Sequence, residues 1–238
     1  MTAYRNDLGD IFIRTGAKTN RRYIEIAKVE ITEEVRKALI PFHGITGTDI
    51  TSQICGVTKS SGFEVLQTNA HLLQHLGEDI MPSEETIAKA EEFLCRLYEP
   101  HSNVKEVQKI RAKQFRNVSR SLDNIAPTQD AARQHILRAH LLARSLRMAH
   151  DPKPEMPEVT SCGFKEVVGP DGVKRFIPQL MTKSPMSEKF IDLISCGCAT
   201  EDNKCGTKRC KCHKKGYGCS SLCKCLKDCF NPKNHTVR

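Results

Sequence analysis

Apolar residues recur at helical spacing along several stretches of the chain. The clearest stretch begins after Ser83, a good N-cap that is followed by two glutamates. Its apolar positions fall on one helical face: Ile87, Ala90, Leu94 and Leu97. A weaker repeat runs over 104–118, and residues 33–39 begin with two acids that suit the first turn of a helix. The pattern therefore predicts three helices in this part of the chain.

A further helix is predicted over 129–149, with Thr128 as its N-cap. Its apolar face is formed by Ala132, Ile136, Ala139 and either Leu142 or Ala143. Its opposite face is basic and holds Arg133, His140, Arg144 and Arg147. Such a stripe can meet the phosphates of a nucleic acid, or it can simply face solvent. Of the two interpretations we favour the solvated face.

Two short pairs of β-branched or aromatic runs predict two hairpins. The first pairs 11–13 with 23–26 across a turn-forming segment. The second pairs 164–168 with 173–177, and the sequence GPDG between these runs is a strong turn signal. The fold class predicted from these elements is α+β, with a mainly helical N-terminal portion.

Composition shifts along the chain predict three parts. Residues 1–150 form a mainly helical domain. Residues 151–186 form a linker that begins with the proline-rich segment 151–160 and contains the second hairpin. Residues 187–238 form a cysteine-rich module, which begins with a short helix predicted over 187–194.

Charge and cysteine are concentrated at the C-terminal end. The chain of 238 residues has a net charge of +9 and 12 cysteines, and residues 196–238 hold ten Lys or Arg against three acids. No apolar run approaches the ~18 residues that span a bilayer. The N-terminal segment also lacks the basic and apolar order of a secretory signal. We therefore expect no membrane contact and no secretion.

Nine cysteines lie close together in the tail: Cys196, Cys198, Cys205, Cys210, Cys212, Cys219, Cys223, Cys225 and Cys229. They include three C-x-C pairs, and few apolar residues stand between them. Hydrophobic burial cannot fold such a segment, so covalent or metal cross-links must hold it. Disulfides need an oxidising compartment, leave one thiol of nine unpaired and fit C-x-C poorly.

Zinc explains the spacing better than disulfides do. Three tetrahedral ions need twelve bonds, which nine thiolates supply when six are terminal and three each bridge two ions. His213 and His235 are alternative ligands, although nine cysteines already suffice. Zinc storage of the metallothionein kind remains a second interpretation of the same residues.

With these nine cysteines, Gly216 and Asn231, the tail resembles the tesmin-type CXC domain, and it is similar to the CXC domains of chromatin-bound dosage-compensation and polycomb-type proteins. The resemblance implies a three-zinc, nine-cysteine cluster that binds DNA. Phosphate contacts are assigned to the intervening cations: Lys208, Arg209, Lys211, Lys214 and Lys215. Arg209 stands where the family often has tyrosine and suits a narrow minor groove. The family usually carries two such repeats, whereas this chain has one.

A second, weaker resemblance covers 40–62, which begins with IPFHGITGTDITS. This stretch is similar to flap-endonuclease-like (PIN-type) nucleases and to proteins derived from transposable elements. It implies that Asp49 is a Mg²⁺ ligand. Three further residues would then lie near duplex phosphates: Lys59, Ser60 and Gly62. Two-metal cleavage needs several carboxylates, and the acids before Asp49 form no cluster, so we expect a partial PIN-like fold without catalysis. The alternative is that 46–49 form only a turn and a helix cap.

The remaining cysteines and a pair of histidines carry weaker signals. Cys55, Cys95 and Cys162 are single thiols that we expect to be reduced, in the core or on the surface. His71 and His75 stand one helical turn apart, but they lack a third metal ligand, so we expect ordinary surface histidines.

The leading hypothesis is a nuclear, zinc-dependent, DNA-binding and chromatin-associated protein of mobile-element origin. Its helical portion would act as a scaffold, or as a surface for a protein partner or a second copy. The alternatives are a residual Mg²⁺-dependent, structure-specific 5′ nuclease and metallothionein-like metal binding. We expect that the protein is not an enzyme.

Overall fold

A computed structural model describes residues 11–17, 19–115, 124–183, 195–198, 204–216, 218–219, 223–225 and 229–232. The chain divides into two compact units, 1–182 and 183–238. Within the described residues the fold is α+β, with six α-helices and two antiparallel two-stranded sheets. Among these helices, none is long and apolar enough to cross a bilayer.

The first hairpin joins β1 (Phe12–Thr15) to β2 (Arg22–Glu25), as predicted. Ile13 lies opposite Ile24 in the antiparallel register. The chain turns at Gly16, where φ is +87° and a Cβ would lie 2.0 Å from the carbonyl oxygen of Asn20. Only glycine fits such a turn without moving the backbone.

Five helices build most of the first unit: α1 (Glu33–Ile45), α2 (Lys59–Asn69), α3 (Glu84–Tyr98), α4 (Val107–Phe115) and α5 (Gln129–Arg147). The predicted N-caps Ser83 and Thr128 are confirmed, because each side-chain oxygen accepts the backbone N–H three residues on, at 3.1 and 3.2 Å. The sequence pattern did not predict α2, in which only Gly62 and Leu66 are buried.

The core of this unit lies between α1, α3 and α5. Phe42 on α1 packs edge-on against Phe93 on α3, with ring centroids 6.4 Å apart. A Cβ at Gly44 would lie 3.2 Å from the carbonyl oxygen of Ala139, so the bare glycine lets α1 approach α5 closely. The fully buried apolar side chains include Ala38, Ile45, Leu66, Leu73, Leu76, Ala90, Phe93, Val107, Ile110, Ile136 and Ala139.

The basic face of α5 is not the solvated surface that the sequence predicted. Only Arg133 behaves as a surface residue, forming a two-pronged ion pair with Glu84 at 2.6 and 2.8 Å. His140 is fully buried. Its Nδ1 accepts the backbone N–H of Gly77, and its Nε2 donates to the carbonyl of Ile80, each at 3.1 Å.

The two arginines at the end of α5 hold neighbouring backbone in the same way. Arg144 is buried and donates to the carbonyl of Glu78 at 2.7 Å. Arg147 donates to the carbonyls of Lys37 and Gln74 at 2.8 and 2.9 Å. Both interpretations of this stripe, as a phosphate contact or as a solvated face, are therefore wrong for its buried members. Other elements cover this helix on several sides, so its polar residues satisfy backbone carbonyls there.

The second hairpin is also confirmed, with β3 (Phe164–Val168) paired to β4 (Lys174–Pro178). Glu166 lies opposite Phe176 in its antiparallel register. A short 3-10 turn, Val159–Cys162, leads into β3 and contacts α5. The three-part domain division made from the sequence stays a prediction, and the short helix expected over 187–194 lies outside the described residues.

The single cysteines are unpaired thiols, as predicted. Burial raises the pKa of Cys95 to about 12 and that of Cys162 to about 11. Cys55 is exposed and donates to Asn124 at 2.7 Å. His71 and His75 are both exposed, which confirms them as surface histidines.

Candidate metal centre

Sulfur atoms form the interior of the C-terminal unit. Seven of the nine tail cysteines are buried, and the other two, Cys219 and Cys229, are half-buried against them. The described residues there hold little regular structure: a 3-10 turn, Lys204–Gly206, and a single helical turn, α6 (Lys211–Lys214). The little regular structure expected of this module is therefore seen in its described residues.

The distances between the sulfurs suit a shared metal. Cys196 Sγ lies 3.7 Å from that of Cys225, 3.8 Å from that of Cys219 and 4.0 Å from that of Cys205. Four thiolates placed ~2.3 Å from one tetrahedral zinc ion are separated by about 3.8 Å. A disulfide would require ~2.05 Å. The spacing therefore fits metal coordination and not oxidised pairs.

The sulfurs fall into three groups of four, within which all members lie within 4.8 Å of one another. The groups are Cys196, Cys198, Cys205 and Cys210; Cys196, Cys205, Cys219 and Cys225; and Cys196, Cys212, Cys219 and Cys223. Cys196 belongs to all three groups, whereas Cys205 and Cys219 each belong to two. Separate four-sulfur sites would have no cysteine in common. The tail is thus a dense cysteine cluster suited to bind metal ions such as zinc.

Cys229 completes the set of nine, although it is in none of the three groups. Its side chain interacts with those of Cys219 and Cys225, two members of the second group. His213, an alternative ligand in the sequence, is likewise in none of these groups. His235 lies outside the described residues.

Backbone hydrogen bonds bring distant C-x-C pairs together. The N–H of Lys224 donates to the carbonyl of Cys196 at 3.1 Å. The N–H of Cys196 points at the sulfur of Cys223, 3.4 Å away. In the middle pair, α6 starts immediately after Cys210, whose carbonyl accepts the N–H of Lys214 at 2.8 Å. These contacts place sulfurs from both ends of the segment side by side.

Packing the thiols together raises the pKa of some of them and lowers that of others. Burial raises the pKa of Cys212 to about 12. Burial would also raise that of Cys210, but the backbone N–H of His213 and the sulfurs of Cys196 and Cys219 lower it to about 7. Since zinc binds thiolates, metal uptake must displace protons from this cluster, and acid must weaken it.

Asn231 adds a contact whose role the sequence did not show. Its side chain is fully buried, and its Nδ2 donates to Cys219 Sγ at 3.3 Å. A donor of this kind orients a ligating sulfur and stabilises its negative charge. The sequence placed Asn231 only within the family pattern, because nothing in the spacing shows which cysteine an amide will reach.

Replacing Asn231 with alanine should speed the transfer of zinc from the folded protein to a chelator about tenfold, because the contact to Cys219 is lost. A colorimetric chelator assay measures this rate, after native mass spectrometry shows equal initial loading. Asn103→Ala, which removes an exposed amide in the first unit, is the matched control. Equal release rates for the two variants would contradict the role given to Asn231.

All five cations assigned to phosphate contacts lie on the outside of the cluster. Lys208, Arg209, Lys211, Lys214 and Lys215 are exposed, on the turn before Cys210 and on or just after α6. The cysteines between them point inward, since Cys210 and Cys212 are buried. Alternation of sulfur and cation along the chain thus separates a sulfur-lined interior from a positively charged exterior.

The second motif begins in the last turns of α1, over 40–45, and continues in the turn that follows this helix. Asp49 is exposed there, and among the described residues no group of three potential metal ligands contains it. Lys59 Nζ donates to Thr46 Oγ1 and to the carbonyl of Gly47, both at 3.1 Å, which places its charge at the negative end of the α1 dipole. Gly62 is buried and faces the ring of Phe42.

Comparison of the chain with family models, curated proteins and solved structures gives no match. The function of the tail must therefore be inferred from its sulfur geometry and from the cations around it.

Proposed function

We propose that residues 196–229 bind three zinc ions through nine cysteines. The three groups of four sulfurs support this count. If Cys229 takes the place of Cys196 in the second group, each group still has four sulfurs. Cys196, Cys205 and Cys219 then each join two groups, and the other six cysteines are terminal. This arrangement gives the twelve bonds that three tetrahedral ions need.

The observation that carries this proposal is the sharing of Cys196, Cys205 and Cys219 among the groups. Zinc supplies structure here and not a reaction: its binding energy holds together a segment with almost no apolar side chains. Native mass spectrometry of the zinc-loaded chain tests the count, and three ions per chain are expected. Loading of one ion would overturn the proposed cluster.

We propose further that the zinc-filled tail binds DNA. The segment 196–238 contains ten basic residues and three acids. Nine thiolates and three Zn²⁺ add a net charge of −3, so the folded segment keeps a charge of about +4. The five exposed cations around α6 present this charge on one short stretch. Phosphate contacts of this kind give salt-dependent binding with weak sequence selectivity.

A chromatin-associated role in the nucleus, and descent from a mobile element, belong to the same proposal. They rest on the resemblance of the tail to CXC domains and of 40–62 to transposable-element proteins. The positive exterior and the sulfur interior of the tail are consistent with the CXC part of that resemblance.

Salt titration of DNA binding tests the proposal. The full zinc-loaded chain should retard a 20-base-pair duplex, and the logarithm of its binding constant should fall linearly with the logarithm of salt concentration. Lys208→Gln or Lys214→Gln should each reduce this slope by ~0.9, the value for one lost phosphate contact. Lys165→Gln, an exposed lysine of β3 in the first unit, should leave the slope unchanged.

Removal of zinc with a chelator should abolish retardation, because folding of the tail and metal binding are one equilibrium. Retardation that persists without zinc would contradict the proposal. Retardation that is absent from a protein with three bound ions would favour zinc storage over DNA binding.

A further inference from the structure

A pocket opens in the first unit between α3, α5 and the segment that follows β4. Its volume is about 280 Å³. The wall is largely apolar and includes Ile54, Leu94, Pro127, Ala131, Leu180 and Met181. Two polar side chains of α5, His135 and Arg138, also line it. An apolar pocket with a few convergent polar groups is the usual form of a small-molecule site.

Arg138 is the unusual member of this lining. The residue is 2% exposed, yet within the described part of the chain its guanidinium has no carboxylate partner. One nitrogen, Nη1, donates to the carbonyls of Gly163 and Gln179 at 3.1 and 2.8 Å. These two bonds tie the second hairpin to α5, but they leave the buried Nε without an acceptor.

A buried cation without a counter-ion is costly, even when carbonyl dipoles surround it. Holding the hairpin in place does not require a full positive charge, because a neutral amide can donate to a carbonyl as well. A bound anion beside the guanidinium would supply the missing charge, since carboxylates form short, charge-assisted hydrogen bonds with guanidinium groups.

His135, the other polar side chain of α5 in this lining, is neutral, so the positive charge of the pocket comes from Arg138. Its Nε2 donates to the carbonyl of Ile45 at 2.9 Å, so the neutral ring keeps Nδ1 as an acceptor. Burial lowers the pKa of His135 to about 4, and the imidazole is therefore uncharged at neutral pH.

We propose that this pocket binds a small carboxylate with an apolar chain, its carboxylate against the Arg138 guanidinium and its chain against the apolar wall. A volume of about 280 Å³ holds roughly nine groups of the ~30 Å³ that a water molecule occupies. A carboxylate of six or seven carbons, counted with its two oxygens at ~30 Å³ for each group, meets that limit.

Ligand titration of the full chain tests this site. Hexanoate, 1-hexanol and hexylamine share one chain and differ only in the head group. Hexanoate should shift the methyl resonances of Ile54, Ala131 and Met181 in a saturable way and should raise the melting temperature of the helical unit. It should bind at least about tenfold more tightly than 1-hexanol, which is the effect of one charge-assisted hydrogen-bonded pair. Hexylamine should not bind.

Two variants separate a ligand site from a purely structural arginine. Ala131→Phe fills the pocket from a half-buried position and should abolish hexanoate binding while the protein stays folded. Arg138→Met should remove the preference for hexanoate over 1-hexanol. Arg133→Met, which changes an arginine of the same helix that is paired with Glu84, should leave that preference intact.

Equal binding of hexanoate and 1-hexanol would overturn the proposal, as would hexanoate binding that survives Ala131→Phe, or no hexanoate binding at all. If Arg138→Met does not fold, the ligand series on the unchanged protein and on Ala131→Phe still decides the matter.

Discussion

Replacing Cys196 with serine is expected to leave the protein with at most one bound zinc ion. Its sulfur lies in all three groups of four, and in the proposed arrangement it bridges two ions. A serine hydroxyl has nearly the same size but does not supply a soft thiolate, so two ions lose a ligand at once. Since a structural zinc site contributes on the order of 10 kcal/mol to folding, the tail should lose its ordered amide signals.

Cys198→Ser is the matched control for this experiment. Cys198 belongs to one group only, so the variant should retain two ions or three weakened ones. Native mass spectrometry of both full-length variants, at equal total zinc, measures the difference. If Cys196→Ser and Cys198→Ser lose the same number of ions, the sulfurs are not shared as proposed.

Acid should destabilise the helical unit through His135. Its pKa is about 4 in the folded protein, against an ordinary value of 6.5, because the ring is buried. In the unfolded chain His135 therefore becomes protonated below pH 6.5, whereas in the folded chain it stays neutral down to about pH 4. Stability is complete above pH 6.5 and falls as the pH drops towards 4, by about 3 kcal/mol for this one group.

Urea unfolding followed by helical circular dichroism at pH 7 and at pH 4 measures this loss. The contribution of His135 is the difference between the original protein and His135→Gln, whose amide can still donate to the carbonyl of Ile45 but does not titrate. His75→Gln, at an exposed position, should lose the same amount of stability between pH 7 and pH 4 as the original protein. A His135→Gln variant that is as acid-sensitive as the original would contradict the assignment.

Local signals predicted the elements well. Ser83 and Thr128 were identified as caps because a side-chain oxygen before a helix acts within three residues. Both hairpins followed from short β-branched runs around turn residues. In contrast, α2 has too little apolar periodicity to stand out, because only Gly62 and Leu66 of it are buried.

Tertiary placement was not predictable in the same way. His140 and Arg144 looked solvated because charge on one helix face usually is, yet other elements cover this face. In the tail, spacing predicted a metal-binding cluster, but not which sulfurs meet. Cys196 and Cys225 are distant in sequence and 3.7 Å apart in space, a relation that depends on the folded path of the chain.

The two arginines at the end of α5 donate hydrogen bonds to main-chain carbonyl oxygens rather than to side chains. Arg144 reaches the carbonyl of Glu78, and Arg147 reaches those of Lys37 and Gln74. Every amino acid has the same main-chain carbonyl, so a substitution at an accepting position keeps the hydrogen bond. A substitution at either arginine removes it. Tolerance to substitution in this unit is therefore unequal: it is low at the two arginines of α5 and higher at the residues whose carbonyls they contact, both on α1 and in the segment after α2.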